Sequence, residues 1–154
     1  TANSVLTGCL SRGGKRSVRS RNTELGGLLL GAAYVPRELG AAIRGCLTVA
    51  DRIVESVQCR TSSVSLAMDT EVWDRARQLL GPATQVVGWY HSHPNLGAFF
   101  SGTDRRTQRA FFSHPYSVGL VVDPIRNEQA WFYGADSAPL SAEKVKVIAQ
   151  MSWR

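Results

Sequence analysis

No apolar run in this 154-residue chain reaches the roughly 20 residues needed to cross a bilayer. The first ten residues are only mildly apolar, and charge follows them instead of preceding them, the reverse of a secretory signal. Cysteine is scarce: Cys9, Cys46 and Cys59 make an odd count with no CxxC spacing. That argues against a cysteine-based zinc site and a disulfide framework. Buried, reduced thiols in a cytoplasmic protein are expected, with a Cys46–Cys59 bridge as the alternative. Internal repeats and long low-complexity segments are also missing. The first residue is Thr, so the reading is a processed product or a piece of something longer.

The chain is basic, with a net charge of +6. Much of this charge sits in Arg12, Lys15, Arg16, Arg19 and Arg21, among serines and Gly13-Gly14. Residues 1–21 are read as a solvated, partly disordered N-terminal segment. The functional alternative is a contact for an acidic protein partner. No aromatic-interleaved basic face or nucleic-acid motif is present, so nucleic acid is not an expected partner. Length and a 44% hydrophobic content fit one domain over 1–154 with a substantial core.

The pattern alternates between strand and helix. Strands are expected over 24–34, within 43–57 (one or two), over 60–68, 84–91, 117–123 and 130–133. Residues 70–80 carry Val72, Trp73, Ala76, Leu79 and Leu80 at helical spacing, with Thr70 as N-cap and Gly81-Pro82 as the stop. Further helices are expected from Asp104 to Phe112 and over 141–151, the latter capped by Ser141. The fold class is α/β, a mixed sheet flanked by helices.

Residues 91–104 read His-Ser-His-Pro-Asn-Leu-Gly-Ala-Phe-Phe-Ser-Gly-Thr-Asp. On an extended segment, positions i and i+2 share a face, so His91 and His93 turn their imidazoles to one side and Ser92 turns away. Pro94 limits helix formation behind them. Asp104 returns to the same point once the chain turns. Two neutral imidazoles and one carboxylate form a ligand set for a catalytic zinc that keeps a fourth position for water. A chance pair of loop histidines is the plainer reading of the HxH spacing alone. Upstream, Glu24 precedes the apolar run Leu25–Leu30. Such a carboxylate is usually a solvated strand end. A zinc hydrolase, however, needs a carboxylate that is not a ligand to move protons, and Glu24 is the candidate.

Together these residues resemble the JAMM (MPN-plus) metalloprotease family, zinc-dependent deubiquitinases and deconjugases of ubiquitin-like proteins. The family pattern is Glu-x-x-Gly followed by His-x-His-Pro-x(6)-Ser-x-x-Asp. Here Glu24, Gly27, His91, His93, Pro94, Ser101 and Asp104 fill it at every spacing. Val-Val-Gly-Trp-Tyr-His-Ser-His-Pro at 86–94, Thr-Gln at 107–108 and Val-Val-Asp-Pro-Ile at 121–125 resemble the proteasome-lid branch and prokaryotic deconjugases. The similarity spans roughly 22–135. It implies a mainly antiparallel central sheet in a three-layer domain like that of cytidine deaminases. It also implies Zn2+ held by His91, His93 and Asp104, with Glu24 as general base and Ser101 as an oxyanion donor. The implied substrate is ubiquitin or a ubiquitin-like protein with a Gly-terminated tail. One departure is the short, glycine-containing, basic region before Glu24, where the family usually carries a full helix.

Other readings stand beside these. Ser101 could simply cap the following helix. Ser92 is expected to bond backbone, and His114 to be a surface histidine outside the ligand set. Trp89 and Tyr90 are expected in the core or a groove. Leu96, Phe99 and Phe100 are expected in the core or along a slot for an extended substrate tail. Asp123-Pro124 is read as a turn. A non-catalytic scaffold of the same fold is one alternative function. A zinc hydrolase that releases a sulfur-carrier adduct or cuts cell-wall peptides is another.

Overall fold

The computed structural model of the chain describes residues 24–35, 37, 45–56 and 69–146. Six strands form one mixed sheet: β1 (Gly26–Tyr34), β2 (Leu47–Glu55), β3 (Gln85–Ser92), β4 (Val118–Asp123), β5 (Glu128–Tyr133) and β6 (Ala138–Leu140). Two helices, α1 (Thr70–Arg77) and α2 (Gly102–Phe111), and a 3-10 turn at Ala142–Lys144 complete the described elements. The sheet order is β2-β1-β3-β4-β5-β6. Every neighbouring pair is antiparallel except β3 and β4. Parallel neighbours need a crossover, and α2 supplies it.

The two faces of the sheet bury separate apolar sets. Leu28, Leu30, Trp89 and Val121 face α1 and α2, where Val72, Ala76 and Phe112 meet them. Leu29, Val87, Tyr90, Leu120 and Val122 cover the other face. Strict alternation would put Val87 with Trp89. Instead β1 pairs Leu29 with Gly88 and Leu30 with Val86, so Val87 bulges out of register and changes sides. At Gly27 a Cβ would stand 2.3 Å from the Val54 carbonyl oxygen and 2.8 Å from the Tyr90 ring. Only glycine lets β1 run this close to both neighbours.

Several boundaries differ from expectation. Asp69, not Thr70, caps α1, accepting from Glu71 N at 3.1 Å and Val72 N at 3.4 Å. Helix α2 starts two residues earlier than expected because Ser101 is its cap. Of residues 43–57, the described ones, 45–56, hold one strand, the lower of the two numbers expected. The short strand β6 carries Pro139 and has too little alternation to be legible. Ser141 makes no side-chain cap bond, and Val145 is already extended, so only a 3-10 turn forms at the start of the expected terminal helix. Cys46 is exposed, not buried, because it lies just before β2, the outermost strand among the described residues. Cys9, Cys59, the basic segment 1–21, the strand expected over 60–68 and the residues from 147 onward lie outside the described residues. Among the described residues no helix is long and apolar enough to cross a membrane.

Candidate metal centre

One end of the sheet gathers the chemistry. Strands β3 and β4 run parallel, so their C-terminal ends lie together. Strand β1 runs opposite to β3, which brings its N-terminal end to the same place. Ligand sites form outside the carboxyl ends of parallel strands, and His91 and Ser92 are the last residues of β3. Gly26 pairs with His91, and Ser92 N donates to the Leu25 carbonyl at 2.7 Å. The Ser92 hydroxyl accepts from Leu25 N at 2.8 Å, so Ser92 bonds backbone on the face away from the histidines. Glu24 lies two residues before β1, at the same end of the sheet, and its charge acts on His93.

Helix α2 delivers the third group. Ser101 is the N-cap: its hydroxyl accepts from Asp104 N at 3.1 Å, and the Asp104 carboxylate accepts from Ser101 N at 2.6 Å. This capping box locks Asp104 at the third helical position, where the helix dipole favours a carboxylate. Phe112 N closes the other end of the helix on the Gln108 carbonyl.

His91, His93 and Asp104 are all buried. The Nε2 atoms of His91 and His93 lie 3.0 Å apart. Asp104 Oδ1 is 3.2 Å from His91 Nε2, and Oδ2 is 3.7 Å from His93 Nε2. Donors held about 2.0–2.1 Å from a tetrahedral ion such as zinc stand about 3.3 Å from one another. The observed spacings bracket that value, so these three residues could hold a metal ion. Burial holds the His93 pKa below its ordinary value, and His91 adds to the effect, while Asp104, Glu24 and the Gly97 carbonyl oppose it. A neutral imidazole is the form that binds metal. His114 stacks on Tyr116, outside this group.

The two imidazoles are oriented differently. His93 Nδ1 faces the Gly97 carbonyl at 3.3 Å, a bond in which Nδ1–H donates and leaves Nε2 as the lone-pair nitrogen. His91 Nδ1 is buried with no hydrogen-bond partner among the described residues. Its ring is instead stacked on Trp89, at 4.7 Å and 7°. Trp89 is fixed in turn by Gln108, whose Oε1 accepts the indole N–H at 2.7 Å. Gln108 Nε2 reaches the carbonyls of Phe112, Ser117 and Gly134 at 3.1–3.3 Å. Phe100 is core, whereas Leu96 and Phe99 are exposed, with Phe99 edge-on to His93 at 5.2 Å.

Gln108 and Asp123 were not legible as site residues. Gln108 follows Asp104 by one helical turn on the same buried face, which is the signal that could have found it. Asp123 shares the strand face of Val121, at the end of the one parallel pair.

The model of prokaryotic homologues of the JAB domain matches residues 10–133. This chain belongs to that family. Subunit 5b of the COP9 signalosome from Arabidopsis thaliana is 38% identical over 80 residues, 50% of this chain and 22% of that protein. The 26S proteasome regulatory subunit rpn11 of Schizosaccharomyces pombe is 48% identical over 48 residues, 30% of this chain and 16% of that protein. The NAD(+) hydrolase TcpA of a Theionarchaea archaeon is 34% identical over 87 residues, 56% of this chain and 26% of that protein. The chain thus spans about a sixth to a quarter of the length of these curated relatives. A JAB1/MPN domain protein from Archaeoglobus fulgidus superimposes with a TM-score of 0.48 at 16% identity, covering 89% of this chain and 88% of that one.

As a JAB-family domain, the chain places its buried His-His-Asp cluster at the end of the parallel strand pair.

Proposed function

We propose that this JAB-family domain is a zinc-dependent peptidase or isopeptidase. It removes ubiquitin or a ubiquitin-like protein from conjugates or precursors by hydrolysis after a C-terminal glycine. The observation that carries this reading is the convergence of His91 Nε2, His93 Nε2 and the Asp104 carboxylate, with the charge of a carboxylate outside the three, Glu24, acting on His93. The COP9 and proteasome relatives support the substrate class.

When bound, zinc supplies Lewis-acid chemistry: it lowers the pKa of water toward about 7 and polarises a carbonyl. His91, His93 and Asp104 would hold it. Glu24 takes a proton from the attacking water and delivers it to the departing lysine amine as the C–N bond breaks. The Ser101 oxygen accepts from Asp104 N, which leaves its O–H to donate to the oxyanion. The exposed Leu96 and Phe99 flank the site and offer apolar contact to an extended tail. A cytoplasmic setting, with an acidic partner for the basic residues 12–21, completes the proposal.

The test is incubation of the zinc-loaded protein with Gly-Gly-terminated fusions of ubiquitin-like proteins, with and without a chelator. Cleavage after the second glycine that stops on chelation supports the reading. A full panel left intact by a zinc-loaded protein overturns it and favours a scaffold.

A further inference from the structure

The turn at Asp123 contains a buried carboxylate that the mechanism above does not use. Asp123 ends β4 and is 0% exposed. Its Oδ1 accepts from Asn95 N at 3.0 Å, Ile125 N at 2.9 Å and Arg126 N at 3.1 Å. Its Oδ2 accepts from Gly97 N at 2.7 Å. Arg126 Nε lies 3.7 Å from the same oxygen. One side chain therefore ties two backbone segments together: its own turn, and the loop that follows the His-x-His-Pro run.

That loop turns through the left-handed region. Asn95 and Gly97 adopt positive φ, 61° and 93°, the residue types that tolerate it best. Gly97 is also the residue whose carbonyl faces His93 Nδ1. The amide and the carbonyl of one glycine thus face Asp123 and His93.

We propose that Asp123 is a positioning residue for the metal centre, orienting His93 through Gly97. This rests on His93 serving as a metal ligand, but not on the reaction or substrate proposed above. Burying a carboxylate is expensive unless its oxygens are saturated with donors. A turn could be made with Asn or Ser at far lower desolvation. What the ionised carboxylate adds is capacity to accept on both oxygens at once. An amide cannot do this. In Asp123→Asn, the carbonyl oxygen can keep the three bonds of Oδ1 and so preserve the turn. The NH2 group then faces Gly97 N–H, donor against donor. The substitution releases the Gly97 side selectively.

The experiment is a double-mutant cycle on zinc affinity, read by competition with a chromophoric chelator. Wild type, D123N, H93A, H91A, D123N/H93A and D123N/H91A are compared at one pH. Loss of a partner that orients a metal-bound histidine weakens binding by roughly 10–100-fold. D123N should show such a loss in the wild-type and H91A backgrounds, and almost none in H93A. Long-range 1H–15N spectra of the metal-free protein should show one His93 tautomer, protonated at Nδ1, in wild type and a mixture in D123N. An equal loss in every background, with the tautomer unchanged, would overturn positioning and leave a general structural role. Zinc binding untouched by D123N would overturn the inference alone. Failure of the wild type to bind zinc would overturn the metal centre and this inference with it.

Discussion

The indole of Trp89 lies flat on the imidazole of His91, ring centroids 4.7 Å apart and planes 7° from parallel. The stack is anchored from behind. Gln108 is completely buried, accepts the indole N–H and donates to backbone carbonyls beyond it. Replacing Gln108 with Ala leaves the buried indole donor without its acceptor and the Phe112 carbonyl without this donor, each costing about 1–3 kcal/mol, while the Ser117 and Gly134 carbonyls keep the backbone donors Gly134 N and Ser137 N. Q108A should therefore lower stability by about 3 kcal/mol in urea unfolding and weaken zinc binding. Gln108→Glu keeps the acceptor and should retain more zinc affinity than Q108A.

Glu24→Gln separates metal binding from proton transfer. The neutral amide cannot accept a proton from water. Turnover of a Gly-Gly fusion should fall by at least about 10²-fold, while zinc stoichiometry stays at the wild-type value. Single-turnover cleavage and metal analysis on the same preparation check both.

Ser101 combines a structural with a proposed chemical role, and Ser101→Ala reports on each. Loss of the cap should cost about 1 kcal/mol. Loss of the oxyanion donor should lower kcat by about 10²–10³-fold. A Gly at this position keeps most of the capping stability but has no side-chain donor, so S101G should recover stability relative to S101A but not kcat. Recovery of kcat by S101G would make Ser101 a cap alone.

Acid should act through Asp123. Burial tends to raise its pKa, but the backbone N–H groups of Gly97, Arg126, Asn95 and Ile125 overcome this and lower it to about 2. An unfolded aspartate titrates near 3.9. The folded value is the lower one, so the carboxylate stabilises the fold fully above about pH 4 and loses that contribution as pH falls toward 2. The urea midpoints of wild type and D123N should differ most near pH 5 and draw together below pH 3. A gap that does not change with pH would contradict the assignment.

The site was legible where spacing alone dictates direction. HxH on a strand end points two imidazoles one way whatever surrounds it, and the Ser-x-x-Asp spacing fits a capping box at a helix start. Glu24 could be named but not placed, because only the antiparallel register, Gly26 opposite His91, brings the start of β1 to the histidine end of β3. Gln108 and Asp123 stand within the runs at 107–108 and 121–125 that carry the family resemblance, Asp123 as part of a turn, but no role is assigned to either from sequence. Their roles depend on partners 19 and 26 positions away in the chain, and such pairings have no local pattern. The bulge at Val87 broke the period-2 alternation. The exposed Cys46 follows from the position of β2 as the outermost strand among the described residues, which single-strand composition does not encode.

Zinc titration of the metal-free protein, with His93→Gln alongside, tests the centre most directly. Wild type should bind one ion per chain, and H93Q should bind it far more weakly. A wild type that takes up no zinc, or an H93Q variant that binds as tightly as the parent, would contradict a centre built from His91, His93 and Asp104.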